Sequence, residues 1–338
     1  MKIAFKVIPI ATMLGVLGIG SSSSYAGPVS DTLYFTNFSD HRIQDTVGTY
    51  TGNGTAGNGT FSLSSPNVIT TTPGADGIVR NPNNGFLLIG GQGNAVYEVN
   101  PGTGTFTSAT PNVGAFHLAV DPSKNVVWAS GIPGSLSSLS INPNLNGIGT
   151  VLSLSGADTQ VTSLAFAPGG KVFYTNAGAG GTGNFGTIDL TTGVTTQLLT
   201  GVVAAHGMVY DPFSGDLILG GGDQIAQIDP NNPTVLASVL TVPGNTFDQG
   251  AVDGQGHIFW ADNGGNFFFE DYSTTMLVGN SNNFVSASFF QANLDDVAPL
   301  IGAGGTGSVP EPATLALLGI AFAGIGLTRN RKPGNTKK

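Results

Sequence analysis

An all-β chain closed into a six-bladed propeller is the fold this sequence predicts, and two observations carry that expectation. A strand–turn–strand phrase returns through the body at near-constant spacing. Outside the two ends, no window shows the i, i+3, i+4, i+7 apolar pattern of an amphipathic helix. The phrase reads GIVRNPNNGFLLIGG from Gly77, HLAVDPSKNVVWASG from His117 and SLAFAPGGKVFYTNA from Ser163. It continues as GMVYDPFSGDLILGG from Gly207 and QGAVDGQGHIFWADN from Gln249, with a partial copy, DDVAPLIG, from Asp295. Marked by their turn residues (Pro82, Pro122, Pro168, Pro212, Gly254 and Pro299), the copies lie 40, 46, 44, 42 and 45 residues apart. A unit of ~40–45 residues is one four-stranded blade. A β-sandwich also has strands every ~8–12 residues, but it does not account for the longer period.

Each element follows in chain order. Thr32–Asn37 reads as the second strand of a blade that lacks its first, with His41–Tyr50 and Thr60–Leu63 as its third and fourth. The phrases AVYEVNP, GTIDLTT, QIAQIDP and NFFFEDY supply third strands in later copies. GTFTSAT, TTQLLTG, TVLASVL and FVSASFF supply the fourth. The last copy has a first strand and nothing after it. Pairing Asp295–Leu300 with the N-terminal strands therefore closes the ring and removes its free edges. Residues 31–74 folding separately would make a seventh blade, though the strand count favours six. The turn dipeptides Asn-Pro, Asp-Pro and Pro-Gly punctuate the strands.

Both ends read as targeting segments. Lys2 and Lys6 precede an uncharged apolar stretch from Val7 to Gly20. Ser24-Tyr25-Ala26 then offers small residues at the −3 and −1 positions, so cleavage is expected after Ala26. The alternative is an uncleaved N-terminal anchor. The propeller domain is expected over 27–301 and a flexible Gly-rich linker over 302–308. The tail, 309–338, opens with Val309-Pro310-Glu311-Pro312, continues in an apolar run, and ends with Arg329, Arg331 and Lys332. As a helix, residues 313–328 would span about 24 Å, a little short of the ~30 Å hydrocarbon core. The basic residues would then snorkel to the cytoplasmic headgroups.

This three-part tail resembles the PEP-CTERM sorting signal of Gram-negative bacteria that make exopolysaccharide. The resemblance implies export, transient anchoring in the inner membrane, processing by an exosortase after signal peptidase has acted, and delivery to the cell surface or extracellular matrix. It covers about a tenth of the chain and assigns no chemistry to the rest.

Without its ends the body is strongly acidic. Residues 27–308 hold four basic residues (Arg42, Arg80, Lys124, Lys171) against 19 acidic ones, a net charge of −15. That balance excludes nucleic-acid binding and favours divalent cations or basic partners. Cysteine is absent, so a body of this length must build its core without disulfides.

In a propeller the first strand of each blade lines the central channel. Aligned copies place Asp76, Phe116, Thr162, His206, Asp248 and Asp295 in one ring at its mouth. Gly77, His117, Ser163, Gly207, Gln249 and Asp296 form the next. Asp76, His206, Asp248, Asp295 and Asp296 are the candidate ligand-binding residues. Asp76, Asp248 and Asp295 are candidate ligands for Ca²⁺ or Mg²⁺, which oxygen-rich sets suit. The structural alternative is that these Asp residues cap strand starts by accepting from backbone N–H groups. His206 is a weak candidate for a general base beside Asp248. Trp128 and Trp260 share one slot, which reads as packing between blades, or otherwise as a platform for carbohydrate. His41 and His257 sit beside turns and are expected on the surface.

The blade phrase also resembles propellers of the NHL, virginiamycin B lyase and gluconolactonase types, most closely in Ala205-His206-Gly207-Met208 followed by Asp211-Pro212. That resemblance implies a propeller, and among its members a cation-dependent lyase or lactonase. The chain departs from both enzymes. Leu217-Ile218-Leu219-Gly220 ends in glycine where the lyase-like phrase has an acid. The glutamates that a lactonase metal centre needs are only Glu98 and Glu270, both on third strands facing away from the axis. No zinc-ligand spacing, phosphate loop or nucleophile elbow is present. The expected role is a non-enzymatic propeller that binds extracellular polysaccharide, cations or a matrix protein, with the lyase or lactonase as alternative.

Overall fold

The computed structural model describes residues 28–300, apart from short stretches at 53–57, 94, 112–113, 132, 177–181, 204, 282 and 289–292. Six separate sheets follow one another along the chain. We label them blades I to VI. Blade I is built from both ends of the body. Its inner strand is Leu294–Val297, followed outward by Val29–Asn37, Arg42–Thr51 and Thr60–Leu63. Phe35 pairs with Val297 and Asn37 with Leu294, with a bulge between them. The Ala298 N–H donates to the Tyr34 carbonyl at 2.8 Å. The ring thus closes as the sequence predicts, with six blades among the described residues.

Blades II to VI each run antiparallel from the axis outward. Their inner strands are Ala75–Arg80, His117–Val120, Ser163–Ala167, Gly207–Tyr210 and Ala251–Val252. Two strands go beyond the sequence reading. Asn67–Thr71 pairs with the first half of Arg42–Thr51, and Ser155–Gly156 runs parallel to Val194–Val203. Both lie at the outer rim, where a short polar segment gives no apolar alternation to read.

The reason for the near-continuous apolar runs is the layered core. Each sheet is covered on both faces by its neighbours, so alternate residues of a strand face different gaps. In blade II, Leu87 and Ile89 pack toward blade I while Leu88 packs toward blade III. In blade VI, Ile258 and Trp260 enter the gap with blade V, while Phe259 and Ala261 enter the gap with blade I. Six apolar clusters result, one per gap. Trp260 is fully buried in one of these clusters and Trp128 is half-buried against another, so the shared tryptophan slot is an interblade packing position.

The turn at the far end of each inner strand explains the repeat's Asn-Pro and Asp-Pro signature. Asn81, Asp121, Asp211 and Asp253 each accept from a backbone N–H two residues on, at 3.0, 2.8, 3.1 and 2.7 Å. These Asx turns set the reversal between inner and second strands.

His41 is exposed at positive φ, as expected. His257 is not. It is 6% exposed, its Nδ1 lies 2.6 Å from Asp253 Oδ2, and its ring stacks on Phe269 at 5.4 Å. The turn brings Asp253 over the ring, and the neighbouring strand brings Asp271, whose Oδ1 lies 3.8 Å from Nε2. Burial works to lower the imidazole's pKa. The Asp253 hydrogen bond and the charges of Asp253, Asp271 and Asp31 outweigh it and raise it. A raised folded pKa contributes stability that is complete below the unfolded value of about 6.5 and is lost as pH rises through the folded one. Chemical unfolding of wild type and His257→Gln at pH 6 and pH 9 should therefore show the wild-type advantage shrinking at the higher pH. An advantage independent of pH would show that His257 acts by packing alone.

Candidate functional site

The six residues at the mouth ends of the inner strands converge. Asp76, Phe116, Thr162, His206, Asp248 and Asp295 all line one open cavity of about 410 Å³, joined by His117, Phe38, Gln92 and Asn263. Inner strands approach closely enough here that glycine is required on one side. A Cβ on Gly207 would lie 2.2 Å from Gln249 Cα, and one on Gly220 would lie 2.3 Å from the Asp248 carbonyl oxygen. Those glycines seat the backbone that carries Asp248.

The second ring ties the mouth together across the axis. His117 Nδ1 is 3.3 Å from Asp296 Oδ2, and both side chains are buried. Asp296 Oδ1 accepts from the Gln249 N–H at 3.0 Å. Gln249 Nε2 in turn donates to the Ile78 carbonyl at 3.0 Å. Blades I, II, III and VI thus meet through one polar network. On the mouth side, His206 Nδ1 is 3.6 Å from Asp248 Oδ2, with the His206 side chain 52% exposed. The two imidazole rings stand edge to face, 6.0 Å apart. Gln92 Nε2 donates to Asp76 Oδ2 at 3.3 Å.

Four carboxyl groups and two imidazoles in one small space cannot all keep their ordinary protonation. Burial, followed by the charges of Asp248, Asp76 and Asp296, pushes Asp295 well above the usual carboxylate range. Burial also raises Asp76, against the pull of His117. Burial works to raise Asp248 too, but the hydrogen bond from His206 and the charges of both imidazoles hold it below its ordinary value. His117 is drawn down by burial and lifted further by Asp296, Asp248 and Asp76, to about 10. Asp296 is raised to about 7, by burial first and then by Asp248, against the downward pull of His117. With four carboxyls around it, the imidazole is the group of that pair that holds the proton. His206 is raised, first by its bond to Asp248, with burial opposing.

Asp296 accepts from the Gln249 backbone N–H, and at the opposite face Asn81, Asp121, Asp211 and Asp253 cap the turns. Among the described residues, Asp248 Oδ1 and Asp295 Oδ2 are instead buried with no hydrogen-bond partner. An oxygen left so is costly and points to something else in the mouth. Two groups of residues have ligand atoms within 4.8 Å of one another, His117/His206/Asp248 and Asp248/Asp295/Asp296. Asp76 faces the same cavity beside Asp295, with which its carboxyl interacts, but belongs to neither group.

His117 is the mouth residue that sequence reasoning left out of its site. The signal was present, since His117 follows Phe116 in the second ring, but nothing in one chain showed that ring reaching Asp296. Glu98 and Glu270 lie off the axis, as expected. Glu98 accepts from Asn81 and Asn84 side chains and the Leu145 N–H, between blades. Glu270 is buried beside Trp260 and pushed by burial up to about 8.

Fold and mouth together define an exported-type six-bladed propeller only once the tail is considered. Residues 308–332 match the PEP-CTERM protein-sorting motif. The chain therefore carries a signal for export, with processing by an exosortase and a membrane-anchored sorting tail. A chain in the crystal structure of a mitotic checkpoint complex is similar at 14% identity, with a TM-score of 0.48, covering 90% of this chain and 93% of that one. No curated protein matches the chain. Among the described residues no helix is long and apolar enough to cross a membrane. The apolar run 313–328, the sorting residues from Val309 to Lys332, and Ala26 lie outside the described residues.

Proposed function

We propose that this protein is a surface or extracellular-matrix propeller that acts by binding and not by catalysis, at the carboxylate-lined mouth of its channel. The observation that carries this reading is the sorting motif at 308–332 attached to a closed acidic propeller. In this reading the tail is cut by exosortase and the body is displayed or released into the exopolysaccharide layer. The mouth takes a cation or a positively charged group, because Asp248 is held below its ordinary pKa and its Oδ1 is a buried carboxylate oxygen that no described residue satisfies.

A divalent-cation-dependent lyase or lactonase is the second reading, favoured by the exposed His206 beside Asp248. His206 is raised by its hydrogen bond to Asp248, a pairing that would suit a base. The chain nevertheless ends Leu217–Gly220 without the acid of the lyase-like phrase and keeps Glu98 and Glu270 off the axis, so binding is the better fit.

Glu311→Ala tests the sorting half of the proposal. In a host with an exosortase, the variant should stay membrane-bound at its unprocessed mass while wild type is cut and leaves the membrane fraction. Equal processing of both would remove the assignment.

A further inference from the structure

We propose that His117, His206 and Asp248 form a site for one divalent transition-metal ion of the zinc or cobalt kind. This rests on the mouth being a binding site and names the chemistry of what it binds. The sequence pointed to an all-oxygen set for Ca²⁺ or Mg²⁺. The tertiary structure instead brings two imidazoles and one carboxylate together, from blades III, V and VI, with their ligand atoms within 4.8 Å. Imidazole nitrogen suits zinc, cobalt, iron and nickel, whereas Ca²⁺ and Mg²⁺ take oxygen. Three protein ligands also leave a coordination position open toward the cavity for water or an incoming group.

One feature favours this set over the neighbouring Asp248/Asp295/Asp296 group, and a second, on the residue common to both, points to a bound ligand. Both oxygens of Asp296 are already engaged, Oδ2 at His117 Nδ1 (3.3 Å) and Oδ1 at the Gln249 N–H (3.0 Å). That carboxylate has little left to give an ion. Its contact with Nδ1 instead leaves Nε2 of His117 for the metal, the arrangement by which a carboxylate orients a ligating histidine. The second feature is Asp248 Oδ1. It is an unpartnered oxygen on a side chain 5% exposed, on the residue that completes the set. His206 is half-exposed and can swing to close on an ion at about 2.0–2.1 Å. The dication takes over the positive charge that the protonated imidazole otherwise supplies, so affinity rises with pH.

The test uses untagged full-length protein purified in detergent, stripped with EDTA, and titrated separately with Zn²⁺, Co²⁺, Ca²⁺ and Mg²⁺. We expect one Zn²⁺ or Co²⁺ per chain, with a visible Co²⁺ absorption band of a four- or five-coordinate site. His206→Ala and Asp248→Asn should each weaken binding at least tenfold, and millimolar Ca²⁺ or Mg²⁺ should not displace the ion. His117→Ala removes a buried group and threatens the fold, so the half-exposed His206 carries the decision. Zn²⁺ binding unchanged in His206→Ala would overturn the site. Binding of Ca²⁺ or Mg²⁺ that is lost in Asp295→Asn and untouched in His206→Ala would also overturn it, while leaving the mouth as a cation site. Failure of all four ions would remove both this site and the cation reading of the mouth.

Discussion

Asp296→Ala is expected to destabilise the propeller by about 3–5 kcal/mol, the usual cost of stripping one partner from a buried ion pair. Asp296 is fully buried on the strand that closes the ring. Alanine leaves two orphans, the His117 imidazolium and the Gln249 N–H, both of which Asp296 now satisfies. The effect has a pH signature. His117 is lifted to about 10, so its share of stability is complete below about 6.5 and is lost as pH rises through about 10. The deficit of the variant should therefore be largest near neutral pH and shrink toward pH 10. Asp296→Asn, which keeps an acceptor for Gln249 but loses the charge, should fall between wild type and alanine. Urea unfolding in EDTA, followed by tryptophan fluorescence, measures all three. A variant with the wild-type midpoint would show that the cross-channel network contributes nothing to closure.

Trp260→Ala is expected to cost a similar ~3–5 kcal/mol, by cavity formation instead of charge. For a body of this size, that lowers the melting temperature by roughly 10 °C. The indole is fully buried between blades V and VI against Ile218, Ile225 and Phe247, with the Phe247 ring 5.8 Å away. Two glycines make its space. A Cβ on Gly220 would meet the indole at 2.4 Å and one on Gly250 at 2.7 Å. Backbone shaped this closely around one ring cannot collapse to fill the void it leaves. Trp128→Ala, at a half-buried position, should lose noticeably less. Melting curves of the two variants decide the point. An unchanged melting temperature with weakened glycan binding would return Trp260 to the role of a sugar platform.

These two residues show where sequence reading reached and where it stopped. The recurrence of Trp128 and Trp260 in one strand slot was legible as interblade packing, because the slot repeats with the blade. The closing strand was legible because one copy lacked its later strands and the N-terminus lacked a first. The extra rim strand Asn67–Thr71 was not, since NVITT has no apolar alternation against a covered face. His257 was misplaced on the surface because a histidine beside a turn is ordinarily solvated. Here the Asx turn folds Asp253 back over the ring while Phe269 covers its face.

The candidate site divides along the same line. Sequence alone determined the six-blade period, the closure and the ring of Asp76, His206, Asp248 and Asp295, because a repeat places equivalent positions around an axis. Its tail determined the export signal, because that motif is contiguous. Only the tertiary structure decided which ring members touch. His117 and Asp296 are 179 residues apart and pair across the channel. Asp248 gains His206 on one side and keeps an unsatisfied oxygen on the other. Periodicity is a local property and survives in one dimension. Contact across an axis depends on how far each inner strand leans into the channel, and that is set by the packing of six blades at once.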